Sequence, residues 1–183
     1  MICDRIGHDG GIVLIWCFVI LACVIIDQLT KWAAVAFLDG EEPFSLIDGV
    51  FRFTYVENDG AAFGMLDDHR WVFMVLSCVG IGALCVYLWK VAKDKRLEGI
   101  AVSMIIGGGI GNMIDRVRLG YVVDFLDFCA FPKIWPWVFN MADAFVCVGG
   151  GLLILSLTLE IIAESKAKRN SAQDGGNKEG NDE

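Results

Sequence analysis

The sequence predicts an all-α membrane protein with four transmembrane helices and a small extracytoplasmic platform between the first two. Three observations carry this. Of the 183 residues, 56% are hydrophobic, above the share in ordinary globular domains. Those residues gather into four long charge-free runs, so lipid is the solvent for the fold. A long connection between the first two runs holds a hairpin pattern.

The first run extends from Gly11 to Ile26 and is ended by Asp27. The second, Trp71 to Trp89, is uncharged and bracketed by tryptophans that suit membrane interfaces. The third, Gly99 to Ile114, closes on Asp115 and Arg116. The fourth, Ala144 to Leu159, is followed by Glu160. Each approaches the ~20 residues a bilayer crossing needs. The spans are therefore placed at about 11–26, 71–89, 99–114 and 144–159, within one integral-membrane domain covering 1–165. No small-residue cleavage site follows the first run, which argues against a removable leader.

In the connection after span one, Phe44-Ser45-Leu46-Ile47 and Val50 to Val56 flank Asp48-Gly49. Aromatic and β-branched residues around Asp-Gly are a hairpin signal. Its exposed aromatics are expected to face lipid or a lipid-bearing ligand, and Trp135 and Trp137 to sit at the outer interface. Orientation follows from the cations. Lys90, Lys93, Lys95 and Arg96 cluster after span two, and Lys166, Lys168 and Arg169 follow span four. That side, with both termini, is assigned to the cytoplasm.

The net charge of −8 owes much to Asp174, Glu179, Asp182 and Glu183 near the C-terminus. With so little there to bury, residues 166–183 are expected to form a disordered cytoplasmic tail. No basic patch interleaved with aromatics suggests nucleic acid. The seven cysteines include no CxxC pair, and the two histidines, His8 and His69, are isolated. Neither a metal site nor a disulfide framework is implied.

Chemistry concentrates at two aspartates. Asp124 lies in Gly120-Tyr121-Val122-Val123-Asp124-Phe125, and Asp143 in Phe139-Asn140-Met141-Ala142-Asp143-Ala144. Singly, each has a plain reading, Asp124 as a loop acid and Asp143 as a first-turn acid favoured by the helix dipole. Both lie on the last outward connection, however, where they can meet. Two like charges ~4 Å apart cost roughly 4 kcal/mol at an effective dielectric of 20, which is about three pK units. One carboxyl would then keep a proton while the other activates water.

Asp115 and Asp127 are the rival acids. Asp115, followed at once by Arg116, suits an ion pair or a helix end, and Asp127 suits a solvated position. Asn112, Arg116 and Asn140 surround the same region, either as helix-end polar groups or as groups that orient a peptide and stabilise an oxyanion. Asp27 and Lys31, four apart, suit an intrahelical pair at a helix end. Gly107-Gly108-Gly109-Ile110-Gly111 and Gly149-Gly150-Gly151 suit close helix packing.

Five motifs occur in order: Asp27-Gln28-Leu29-Thr30-Lys31, Asn58-Asp59-Gly60-Ala61-Ala62-Phe63-Gly64, Gly111-Asn112-Met113-Ile114-Asp115-Arg116, Gly120 to Phe125, and Phe139 to Asp143. Together they resemble the bacterial lipoprotein signal peptidases (signal peptidase II). The resemblance implies an aspartyl endopeptidase of the bacterial inner membrane, active near the periplasmic face. It cuts prolipoproteins before a diacylglyceryl-modified cysteine, without a cofactor. It implies Asp124 and Asp143 as the catalytic pair, and Asn58, Gly60, Asn112, Arg116 and Asn140 at the substrate. Asp27, Lys31 and Asp115 are expected as structural polar residues. A β-cradle and a short amphipathic helix are implied between spans one and two. The partners would be prolipoproteins and membrane lipids, with the enzyme a monomer. The competing class is a small proton-coupled transporter or channel using intramembrane carboxylates. Ion flux in liposomes, against loss of a signal peptide, separates the two.

Overall fold

The computed structural model describes residues 2–60, 70–90 and 95–179. The order is α1 (Ile2–Leu38), β1 (Phe44–Ile47), β2 (Phe51–Asn58), α2 (Arg70–Lys90), α3 (Arg96–Arg118), β3 (Val122–Phe128), β4 (Val138–Phe139) and α4 (Met141–Glu179). By length and composition, Gly11–Leu38, Arg96–Arg118 and Met141–Asn170 can each cross a membrane, while the apolar stretch Met74–Lys90 is shorter.

α1 does not end at Asp27. It continues to Leu38, because Asp27 and Lys31 are buried against α3 and paired there. The apolar residues beyond them then extend the helix. Charges that mark a helix end in sequence mark an interior here, since a partner helix neutralises them. α3 likewise runs past Asp115 and Arg116 to Arg118. It gives way to β3 through Gly120, whose φ of 92° favours a residue without a Cβ.

The expected hairpin is present. β1 pairs antiparallel with β2, with Phe44 opposite Phe53 and Ser45 opposite Arg52. Gly49 takes φ 71° in the turn. The sheet is larger than the hairpin, however. Its order is β1-β2-β3-β4, so two strands come from the third connection, and the expected cradle is not confined to the segment between spans one and two. β3 lacks the alternating pattern of a half-exposed strand because nearly all of its residues are covered. The sheet docks on the end of α1 through Ala34, Val123 and Phe125, with Leu38, Phe53 and Tyr55 around them. The amphipathic helix expected before α2 could only occupy 61–69, outside the described residues.

α3 is the central helix, packed against α1, α2 and α4. Half of its span is buried, against 17% for α1 and 6% for α4. Glycine makes this possible. A Cβ on Gly107 would meet Cys23 and Ile20 of α1; on Gly108, Ala142 and Val146 of α4; on Gly109, Ile81 of α2. Successive helical residues are rotated by about 100°, so the three glycines face three different neighbours. On α4, Gly149 meets the Ala101 carbonyl, whereas Gly150 and Gly151 face open space.

α4 remains helical to Glu179, a correction to the disorder expected over 166–183 as far as that residue. Its nucleus already exists in the apolar part, and extension through Lys, Ala, Arg and Glu needs no new one.

Candidate active site

Asp124 sits in the middle of β3 and Asp143 in the first turn of α4. Asn140, the residue before α4, bonds both. Asn140 Nδ2 donates to Asp124 Oδ1 at 2.6 Å. The Asp143 N–H donates to Asn140 Oδ1 at 3.0 Å, and the Asn140 N–H returns to Asp143 Oδ2 at 3.2 Å. This reciprocal capping satisfies helix-end donors. The capping and chemical readings of Asp143 are therefore compatible.

Asn58 ends β2 opposite Val122, so its side chain lies diagonally beside Asp124 on one face of the sheet. Its Nδ2 donates to Asp124 Oδ2 at 2.7 Å, and its Oδ1 accepts the Gly60 N–H at 3.1 Å. Gly60 thus acts by fixing the Asn58 amide. Asp124 is 2% exposed. Burial, with the charge of Asp143 adding to it, pushes its pKa up to about 6. The Asn58 and Asn140 donors and Lys31 pull the other way.

Behind the pair lies a buried ion triad. Lys31 Nζ is 3.0 Å from Asp27 Oδ2 and 2.9 Å from Asp115 Oδ2, and it donates to Asn112 Oδ1 at 2.8 Å. An ammonium has three donors and no acceptor, so it fixes the Asn112 oxygen toward itself. The Asn112 Nδ2 is thereby turned to Asp143 Oδ1, at 2.8 Å. Asp115 pairs with Lys31, not with Arg116 as its sequence neighbour suggests. Arg116 donates to the Asn112 carbonyl at 3.3 Å, and its charge acts on Asp143, Asp124 and Asp115. Asp127, three residues from Asp124 and so on the opposite face of β3, is paired with Arg52 and not solvated. Among the described residues, every buried side-chain nitrogen and oxygen has a partner.

Residues 19–159 match the family model of signal peptidase (SPase) II. The chain belongs to the signal peptidase II family. It is 43% identical to a lipoprotein signal peptidase of Halothermothrix orenii over 139 residues, covering 76% of this chain and 92% of that one. With the lipoprotein signal peptidase of Caldanaerobacter subterraneus it shares 46% identity over 136 residues, 74% of this chain and 90% of that one. A solved bacterial membrane enzyme, determined in meso at 2.3 Å, superposes with a TM-score of 0.70 at 33% identity, covering 83% of this chain and 90% of that one. All the residues just described fall inside the matched region.

One member of the site escaped the sequence reading. Gln28 Nε2 donates to Asp115 Oδ1 at 2.9 Å, to the Gly111 carbonyl at 3.2 Å and to Asp27 Oδ2 at 3.3 Å. The signal was its place between Asp27 and Lys31, but only the fold shows that all three side chains turn toward α3.

Proposed function

We propose that this protein is an aspartic endopeptidase that removes signal peptides from bacterial prolipoproteins, using Asp124 and Asp143 to activate water. One observation carries the reading: two carboxyl groups from different elements share Asn140, and burial with a neighbouring negative charge raises the pKa of one of them, Asp124, to about 6. The ionised carboxylate takes a proton from water as the water oxygen attacks the scissile carbonyl carbon. The protonated partner gives its proton to the carbonyl oxygen. As the tetrahedral intermediate collapses, the first carboxyl gives its proton to the leaving nitrogen and the second carboxylate takes one from the gem-diol hydroxyl, which restores the pair. Arg116 adds positive charge where the oxyanion develops. The family likeness supports cleavage before a diacylglyceryl-modified cysteine.

The placement in the membrane has its own support. The site joins the end of α3 to the start of α4, while Lys95, just before α3, pairs with Glu160, about five turns along α4. The cations around Lys90, Arg96 and Lys166 lie at that far end. With α2 as a fourth crossing, both termini are cytoplasmic and the site faces the periplasm. The exposed Trp135, edge-on to Trp137 at 5.3 Å, suits the outer interface. The test is cleavage of a purified lipidated prolipoprotein. Asp124→Asn or Asp143→Asn is expected to lower kcat by about 10²- to 10⁴-fold in a folded protein. Turnover retained in either variant rejects the dyad.

A further inference from the structure

Two hydrogen bonds tie the buried ion triad to the main chain beside the dyad. Asp27 Oδ1 accepts the N–H of Ala142, the residue before Asp143, at 2.8 Å. Asp115 Oδ2 accepts the N–H of Val123, the residue before Asp124, at 3.2 Å. Lys31 bonds both carboxylates, and Gln28 bonds both again. A continuous path therefore runs from Asp143 through Ala142, Asp27, Lys31, Asp115 and Val123 to Asp124. We propose that this path sets the separation of the two catalytic carboxyl groups, with Asp27, Gln28, Lys31 and Asp115 as positioning residues. The proposal rests on the dyad reading given above.

The dyad needs such a device. Its members repel each other, and they sit on elements joined by a largely exposed loop. The only strand in that connection, β4, has two residues. Ala142 N–H is also one of the donors that a helix start leaves without an intrahelical partner, and α1 supplies its acceptor. Gly111 gives independent support: a Cβ there would collide with Asp27 Oδ2. α3 thus carries no side chain at the point where the Asp27 carboxylate passes toward α4. The same path has an electrostatic side. The charges facing Lys31 are Asp27 on α1, Asp115 on α3 and, across Asn112, Asp143 on α4, with Asp124 on β3 within electrostatic reach.

Lys31→Arg separates spacing from charge. Arginine keeps the positive charge, but its longer, planar head cannot sit equally close to both carboxylates. With the full chain in detergent and a diacylglyceryl-modified prolipoprotein as substrate, the variant is expected to unfold within a few degrees of wild type. Its KM should be unchanged and its kcat about 10- to 100-fold lower, with a displaced midpoint in the pH–rate profile. Gln28→Ala removes one of the two bridges without altering any charge. It is expected to lower kcat less, at unchanged KM, and it decides the matter if Lys31→Arg does not fold. Wild-type kcat in a folded Lys31→Arg overturns the proposal, as does wild-type kcat in Gln28→Ala where that variant must decide. So does a loss that only matches the lost folded fraction, with an unmoved profile. Asp124→Asn and Asp143→Asn run beside them keep the two ideas apart, since turnover in those variants overturns the dyad and not merely its spacing.

Discussion

The two ends of the helical bundle each hold a lysine between two carboxylates, and they differ in what surrounds it. At the site end, Lys31 is 3% exposed and its partners Asp27 and Asp115 are 0% and 5% exposed in their side chains. At the other end, Lys95 is 35% and Glu160 37% exposed, and only Glu98 is fully covered, with Tyr87 as an additional donor. The charge pattern is the same. Water can replace most of what the outer lysine does for Glu160, whereas nothing replaces Lys31. Removing one partner of a buried ion group leaves the others uncompensated in a medium that solvates them poorly. Exposed pairs contribute little. Among the described residues, only the buried centre also bonds backbone next to Asp124 and Asp143. On the proposed reading, burial, more than charge count, makes a helix-end ion pair a determinant of the site.

The comparison is most sharply tested by Lys31→Met. It is expected to destabilise the protein by about 3–5 kcal/mol and to abolish turnover, read by thermal unfolding and by prolipoprotein cleavage. A stable, active variant would break the contrast.

Next comes pH. The Asp124 pKa is raised from 3.8 to about 6, so between those values the folded chain holds a proton that the unfolded chain has lost. Stability therefore falls as pH rises through that window, by about 3 kcal/mol for a shift of roughly two units at 1.36 kcal/mol each. Asp124→Asn should lack this decline, as measured by the difference in unfolding temperature between wild type and variant at several pH values. In the wild type, turnover should fall as pH rises above about 6, where the acid loses its proton.

Asn58→Ala removes a donor that favours the charged form of Asp124. It should shift the alkaline limb of the pH–rate profile upward and lower kcat about tenfold. The smallest effect belongs to the far end: Glu160→Gln should leave turnover within about twofold of wild type. A larger loss there would mean that the exposed lysine centre also reaches the site.

Much of the site was legible in the chain because it is written locally. Asp48-Gly49 marks a hairpin through turn chemistry alone, and the polar motifs stand out against apolar runs. What was not legible depends on contacts distant in sequence. Asp27 and Lys31 signal a helix end until Asp115, 84 residues beyond Lys31, is placed beside them. β3 hides because covering both faces erases the period-two pattern by which a strand is found, and its two aspartates interrupt the apolar run further. Asp115 has Arg116 as its obvious partner in sequence, yet successive helical residues diverge by about 100°, so the distant lysine takes it. The helical course of residues 166–179 follows from continuity with a span, which composition does not register.

The three adjacent glycines of α3 have a consequence for how this protein can tolerate change. Each is closed by a different helix, so enlarging one creates a defect that its own neighbour alone can relieve. Second-site suppressors of Gly107→Ala should map to Cys23 or its surroundings, those of Gly109→Ala to Ile81, and those of Gly108→Ala to Val146. The first and last classes should be rare, because the added methyl would also press on the Ile20 or the Ala142 carbonyl, which no side-chain replacement removes. Since Ala142 precedes Asp143, a mutation meant only to thicken a helix contact would reach the chemistry first.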